Sequence, residues 1–268
     1  MAAKVRIFTY FRTMETPSVS IITVVFNARD LLEATMQSVF VQSYPNIEYI
    51  VIDGGSKDGT RELMRDHADK ISHWLSEPDE GIYDAMNKGL RLATGDFVWF
   101  LNAGDTLFSA DIVERAMQFY TSETDILYGE VMLVDEARLH RGTRSEVTAQ
   151  KLPENLNWRS LRLGMVVCHQ AILVRRRIAP FYIENNLTAD IDWVIASLKE
   201  SRQTTHTHLV LAEYLEGGLS KKRHRRSLMD RYKVLRSHYG FLQNLLAHAV
   251  ILLRAAWHRI QRLGKAHY

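Results

Sequence analysis

The stretch Ile47–Thr60, IEYIVIDGGSKDGT, decides the fold. Ile47 to Ile52 is a short run rich in β-branched residues, and it predicts a buried parallel strand. The run stops at Asp53. Two glycines follow, then Ser56, Asp58 and Thr60, and a helical pattern extends to about Asp69. A carboxylate at the carboxyl end of a parallel strand, beside a Gly-rich turn, is where open α/β sheets take their ligands. The glycines permit close approach of backbone, and Ser56 or Asp58 is placed to cap the next helix. A plain β-to-α turn with a capping Asp is the competing reading of the same residues.

Working outward, Ser18–Phe26 (SVSIITVVF) is a β-branched apolar run and predicts the first strand. Leu31–Val41 has apolar residues at helical spacing, and Ser43, Tyr44 and Pro45 end it. Strand, helix and the Ile47 strand make a β-α-β unit, which implies a right-handed crossover and a parallel sheet. A third strand is expected at Ile71–Ser76, a helix at Gly81–Leu92 and a fourth strand at Asp96–Leu101 (DFVWFL). That strand runs into Asn102, Ala103, Gly104 and Asp105. A helix over Ser109–Tyr120 and a strand at Asp125–Gly129 follow. Glu130–Leu163 is less regular and reads as an antiparallel excursion with a loop. Val166–Val174 predicts a further strand, Asn186–Glu200 a helix capped by Thr188 or Asp190, and His206–Glu213 a late strand before Gly217–Ser220. The fold class is therefore α/β with a mostly parallel sheet flanked by helices.

The 268 residues suffice for one large domain with an appendage, and 46% apolar content supplies its core. A single cysteine, Cys168, excludes an internal disulfide and every CxxC-type zinc site. Residues 1–17 lack the continuous apolar segment of a signal peptide and read as a loose leader or an extra edge strand (VRIFTYF). The net charge of +3 conceals an asymmetry. Lys221–Tyr268 holds twelve Lys/Arg against one acid, Asp230, which makes +11; the other 220 residues hold 22 basic and 30 acidic side chains, which makes −8. An acidic body with a basic tail argues against nucleic-acid binding, and no nucleic-acid reading motif accompanies the charge.

Several residues have the chemistry of a site. Asp105, on a tight turn at a strand end, suits a hard divalent cation such as Mg²⁺ or Mn²⁺ bridging carboxylate to diphosphate; the alternative is an N-cap for the following helix. Asp190 and Asp192, two apart at a helix start, suit a general base, although the helix dipole alone would also favour them. His169 could meet a phosphate or simply be a satisfied buried histidine. A Cys168–His169 nucleophilic dyad is disfavoured, because neighbours on a strand point to opposite faces. Lys88 lies near a helix end, where a cation is stabilised anyway. GxGxxG, Walker A and GxSxG motifs are absent, which argues against dinucleotide oxidoreductases, P-loop enzymes and α/β-hydrolases.

Taken together, SVSIITVVFN (18–27), YPNIEYIVIDGGSKDGT (44–60) and SEPDEGIYDAMNKGLRLATGDFVWFLNAGD (76–105) resemble the inverting glycosyltransferases of family 2, with the GT-A fold. The resemblance spans roughly Ser18–Ser220 and points to the bacterial subgroup that builds exopolysaccharide, lipopolysaccharide or glycolipid. It implies that Thr23, Val25 and Asn27 line the nucleotide base and that Asp53 bonds the base or ribose. Asp79 and Lys88 would flank the nucleotide-sugar. Asp105 would be the surviving acid of a DXD-like metal motif, its cofactor Mn²⁺ or Mg²⁺. Asp190 would be the catalytic base, with Asp192 the alternate. His169 matches a recurrent HQ segment, and Gly217–Ser220 a loop near the diphosphate. One departure stands out: the family's acid cluster is reduced here to Leu101-Asn102-Ala103-Gly104-Asp105. That depletion motivates a second reading, a catalytically silent GT-A domain serving as a scaffold. A nucleotidyltransferase would share the layout, but its Gly-rich basic N-terminal loop is missing.

The organisation expected is a leader (1–17), a GT-A domain (18–220) and a basic amphipathic helical tail (221–268). In the tail, Leu242, Leu245, Leu246, Val250, Leu253 and Trp257 recur at helical spacing, with Arg254, Arg259, Arg262 and Lys265 around them. The apolar run is too short to span a bilayer. It reads either as a helix lying on an anionic membrane surface or as one packed on the body. With the first reading, the chain would be cytoplasmic and peripheral on the inner face of the cytoplasmic membrane, working on a saccharide or lipid-linked acceptor.

Overall fold

The computed structural model describes residues 16–217 and 224–251. The possible edge strand in the leader, Gly218–Ser220 of the GG loop, and the tail beyond residue 251 lie outside the described residues.

Strands β1 (Val19–Val25), β2 (Ile47–Asp53), β3 (His73–Ser76) and β4 (Phe97–Phe100) alternate with helices α1 (Arg29–Phe40), α2 (Thr60–Asp66) and α3 (Ile82–Leu92). All three pairings among these four strands are parallel. The chain then adds β5 (Thr106–Leu107), α4 (Ile112–Met117), β6 (Ile126–Val134), β7 (His140–Thr143) and the short α5 (Arg144–Val147). It closes with β8 (Ile172–Arg175), α6 (Ala189–Glu200), β9 (Thr204–Leu215) and α7 (His224–Tyr239), and residues 241–251 are again helical. The sheet order is β3-β2-β1-β4-β8-β6-β9-β5, with β7 hydrogen-bonded to β6.

One face of the sheet is packed by a core that includes Leu32, Met36, Leu63, Ile112 and Trp99. The other face holds Ala85, Met86, Ile191, Trp193, Val234 and Leu235, so α3, α6 and α7 share a layer. The register aligns Val25 with Asp53 and Asp53 with Ser76, so β1, β2 and β3 end at one level. The winding reverses between β1 and β4, and that crevice is the place where such sheets bind ligands.

The expected strand at Val166–Val174 is a correction. Only Ile172–Arg175 pairs as a strand, while His169–Ala171 forms a 3₁₀ turn. The Cys168–His169 dyad is still not formed, for a different reason: Cys168 Sγ bonds Gln170 Oε1 at 3.0 Å and His169 Nε2 pairs with the Tyr182 hydroxyl. The expected helix at Ser109–Tyr120 shrinks to Ile112–Met117 with Asp111 at its N-cap, so Asp105 does not cap it.

Candidate active site

The opening stretch folds around its carboxylate. Asp53 is fully buried and accepts from the Ser56 N–H, at 3.1 and 3.2 Å to its two oxygens, from the Ser56 hydroxyl, and from Ser76 Oγ at 2.7 Å. Its hydrogen bonds thus tie β2 to the end of β3, and the carboxylate serves the turn. Asp58 accepts from Thr60 N at 3.2 Å and from Arg29 N at 3.0 Å, fastening the starts of α2 and α1 together. Asn27, at φ 47°, accepts from Lys57 N at 2.9 Å and closes the turn against β1. Thr23 is enclosed, its hydroxyl accepting from Tyr49 at 3.1 Å, and Val25 belongs to the core. Beyond the end of β1, Phe26 (61% exposed) and Asn27 both face solvent at the crevice side of the strand.

Asp79 stands over the Gly54–Gly55 turn. A Cβ on Gly54 would lie 2.3 Å from Asp79 Oδ2, so glycine is what admits this carboxylate. Asp79 Oδ1 accepts from Gly81 N at 2.9 Å at the entrance to α3. Lys88 reaches back over the same loop to Glu77 (2.9 Å), Asp84 (3.4 Å) and the Pro78 carbonyl (3.0 Å). Lys88, on α3, therefore braces from the helix the loop that carries Asp79 beside the crevice.

Asp105 is held on the far side of the crevice. Gly104 sits at φ 103°, and Thr35 of α1 threads the turn by accepting from Gly104 N at 3.0 Å and donating to the Asp105 carbonyl at 2.7 Å. The carboxylate accepts from Leu215 N at 3.0 Å and from Gln170 Nε2 at 2.9 Å. Burial pushes its pKa up to about 7, against the pull of those two donors and of the Arg138 charge. Within the HQ pair, Gln170 is the residue that reaches the site. His169 instead stacks on Phe100 at 5.2 Å and packs edge-on to Trp193, and burial pushes its pKa down to about 3, which keeps it neutral. The expected phosphate contact by His169 has no counterpart in this position.

Asp190 and Asp192 part company on α6. Asp192 Oδ1 bonds His238 Nε2 of α7 at 2.7 Å, and Lys199 joins the same imidazole at 2.9 Å. Asp190 is half-buried and its Oδ1 accepts from Ile191 N at 2.9 Å and from the Tyr83 hydroxyl at 3.4 Å. Its Oδ2 has no hydrogen-bond partner among the described residues. Burial pushes the Asp190 carboxyl above the usual range, opposed by those two donors. Behind it Tyr83 stacks on Tyr182, and Tyr182 on Trp193 at 5.4 Å, while Asn87 clamps the Tyr182 backbone at 2.7 and 3.0 Å. After burial, the charges of both Asp105 and Asp190 raise the Tyr214 phenol, and the same two charges act on Cys168. Both carboxylates thus lie near enough to Tyr214 and Cys168 for their charges to act there, beside the charge of Cys168 itself on Tyr214.

A family profile, Glycosyl transferase family 2, matches residues 20–179. The chain belongs to this family. A PGL/p-HBAD biosynthesis glycosyltransferase of Mycobacterium bovis BCG Pasteur is 32% identical over 218 residues, which cover 77% of this chain and 80% of that protein. The putative teichuronic acid biosynthesis glycosyltransferase TuaG of Bacillus subtilis is 38% identical over 106 residues, 38% of this chain and 42% of its own. Among solved structures, Staphylococcus aureus TarS 1–349 in complex with UDP-GlcNAc superposes with a TM-score of 0.67 at 16% identity, over 87% of this chain and 70% of that one. The mannosyltransferase PcManGT of Pyrobaculum calidifontis, in complex with GDP-Man and Mn²⁺, gives 0.63 at 17%, over 94% and 81%. The fold of this glycosyltransferase is thus GT-A.

The residues around Asp105 fit a hard divalent cation. The donors are all oxygens, the carboxylate is buried without a bonded cation, and Asn102 Oδ1 on the same turn is buried with no hydrogen-bond partner. Reading the sequence alone missed the glycosyltransferase's supporting residues, namely Thr35, Tyr83, Gln170 and Tyr214. Only Gln170 carried a signal, as the neighbour of His169 in the HQ pair. The others are brought in by elements distant in sequence.

Proposed function

We propose that this family 2 enzyme transfers a hexosyl group from a nucleoside-diphosphate sugar to a hydroxyl of a saccharide or lipid-linked acceptor, with inversion. The observation that carries the reading is Asp190: a carboxylate pushed above the usual range by burial, with Oδ1 held by Ile191 N and the Tyr83 hydroxyl and Oδ2 without a partner among the described residues. A general base needs that combination of reach and basicity. Asp190 takes the proton of the acceptor hydroxyl, the acceptor oxygen attacks the anomeric carbon, and the bond to the diphosphate breaks. No second carboxylate is required as nucleophile, in contrast to retaining chemistry. Tyr83 and the Ile191 N–H aim the carboxylate, and Asp192 is engaged with His238, which favours Asp190 over it. Mn²⁺ or Mg²⁺ held by Asp105, with the Asn102 oxygen beside it, would supply positive charge against the diphosphate. Asp79 and Phe26 line the approach of the nucleotide-sugar from the β1–β2 side.

The lipid-linked acceptor is supported by the tail. Helical residues 241–251 expose Phe241, Leu242, Leu245 and Leu246, within a segment of charge +11. Such a surface suits a peripheral position on anionic lipid at the inner face of the cytoplasmic membrane. Among the described residues no helix is long and apolar enough to cross a membrane.

The test is a donor screen with UDP-, GDP- and dTDP-sugars, with and without Mn²⁺, following nucleoside diphosphate release. Release from one donor, lost in Asp190→Asn, is the expected result. Release that survives in Asp190→Asn at the wild-type rate would remove Asp190 from the role of base. A donor panel that neither turns over nor binds by calorimetry would overturn the nucleotide-sugar reading.

A further inference from the structure

Away from the crevice, β9 carries two histidines that a bulge brings together. Tyr128 pairs with His206 and Glu130 with Val210, so Thr207, His208 and Leu209 stand opposite Gly129 alone. A Cβ on Gly129 would lie 2.5 Å from the Leu209 carbonyl, so glycine is what lets the bulge close against β6. His208 takes φ 54°, a conformation uncommon for a non-glycine residue, and its ring comes to 4.1 Å from that of His206. Bulges of this kind re-aim side chains, and strained backbone marks positions held by something beyond local preference.

The third member comes from the Glu130–Leu163 segment. Tyr128 stacks flat on His206 at 4.8 Å, and its hydroxyl contacts the Pro153 carbonyl at 3.0 Å, the Glu154 carbonyl at 2.7 Å and the Leu156 N–H at 3.1 Å. Thr204 adds a bond to the Leu156 carbonyl at 2.8 Å. One tyrosine thus fixes both the ring of His206 and the backbone of Glu154. Glu154 Oε2 lies 3.3 Å from His206 Nδ1 and 3.8 Å from His208 Nε2, and the three ligand atoms fall within 4.8 Å of one another. Bonds of about 2.0–2.1 Å in a tetrahedral arrangement put ligand atoms about 3.3 Å apart. His208 and Glu154 are exposed, so closing the set takes a side-chain adjustment of about an ångström.

We propose that Glu154, His206 and His208 form a second metal site, for a divalent transition ion of the Zn²⁺ class, distinct from the oxygen-only site at Asp105. Two imidazoles and a carboxylate select Zn²⁺, Co²⁺ or Ni²⁺ over Mg²⁺. Water completes the coordination. The ion clips the 153–156 segment to β9 and offsets the strain at His208. The sequence concealed the site, because the carboxylate lies about fifty residues before the histidines and no cysteine is involved.

The experiment is titration of the full chain with Co²⁺ in excess Mg²⁺, which occupies the hard-oxygen site, followed by absorption spectroscopy and by calorimetry with Zn²⁺. The expected result is one Co²⁺ per chain with the intense visible bands of low coordination number, weakened at least tenfold in His208→Gln and in Glu154→Gln. Both substitutions are at exposed side chains, and circular dichroism verifies that the variants are folded. If wild type binds no Co²⁺ below about 1 mM, or both variants bind as tightly as wild type, the assignment fails.

Discussion

Two carboxylates two residues apart behave differently because a helix turns them to different neighbours. Asp192 is spent on His238 at 2.7 Å, whereas Asp190 keeps an oxygen free. Asp190→Asn is expected to lower transfer by about 10²–10⁴-fold with donor affinity retained, the range lost with a general base. Asp192→Asn should keep activity within a few-fold and cost about 1 kcal/mol of stability from the bond to α7. Steady-state kinetics beside urea denaturation separates the two outcomes, and the reverse pattern would make Asp192 the base. Asp105 makes a different prediction, in metal-free protein. Its folded pKa is about 7 and its ordinary value 3.8. The folded state therefore holds the proton where the unfolded state has released it, and the stabilisation is complete below pH 3.8. It is lost as pH rises to about 7 and stays lost above. The gap corresponds to roughly 4 kcal/mol as an upper bound. Relative to Asp105→Asn, wild type should lose stability across pH 4–7 in EDTA, and adding Mn²⁺ at pH 7.5 should restore it in wild type alone. A flat difference between the two proteins across that range would contradict the burial of an unpaired charge.

At the scale of elements, the strands that the sequence made plain were those dominated by β-branched runs buried on both faces, β1 and β2 above all. The turns after them were legible for the same reason, since Gly54, Gly55, Ser56 and Asp58 have few other uses at a strand end. Legibility failed where tertiary contacts overrode local preference. Val166–Val174 looks like a strand, yet the chain turns at His169–Ala171, with Trp99 Nε1 bonding the Gln170 carbonyl at 2.8 Å and the Gln170 amide reaching Asp105. β6 runs beyond Gly129 to Val134 because β9 pairs alongside it as far as Leu215. Neither outcome is written in nearest neighbours. The β2–α2 turn supplies the element's own test. In Gly54→Ala the added methyl meets Asp79 Oδ2 at 2.3 Å and must move it. The variant is expected to cost less than about 1 kcal/mol, because the nearest atoms are side-chain ends, and to raise the donor KM about tenfold through the displaced Asp79 side chain. Thermal denaturation and donor saturation curves check this, and a wild-type KM would show that Asp79 does not face the nucleotide-sugar.

For the whole molecule, the described part of the tail packs one face on the body and leaves another open, so the membrane use its sequence allowed stands as a prediction to test. Inward, α7 buries Val234 and Leu235 against α6 and the sheet, and Asp230 accepts from Leu187 N at 3.2 Å, just before Asp190. In the helix that follows, Asn244 is buried and bonds the Tyr232 carbonyl at 3.1 Å. Outward, Leu242 is 68% exposed and Leu246 61%. The inner face is thus packed into the part of the fold that carries Asp190, and the outer face presents Leu242 and Leu246 to solvent as apolar surface of the kind that marks interaction sites. Because the body carries −8 and the tail +11, an anionic bilayer would attract one side of the molecule and repel the rest, orienting the crevice relative to the lipid. The full chain is therefore expected to float with phosphatidylglycerol vesicles and not with phosphatidylcholine vesicles, and to be released as salt rises. In the double variant Leu242→Ser, Leu246→Ser the partition should fall at least tenfold, because burial of two leucines is worth about 3 kcal/mol or more. Hydrolysis of a soluble donor should be unchanged, since neither leucine touches the crevice. Vesicle binding that is indifferent to lipid charge, or to both leucines, would leave the outer face without this role and return the tail to a packing element alone.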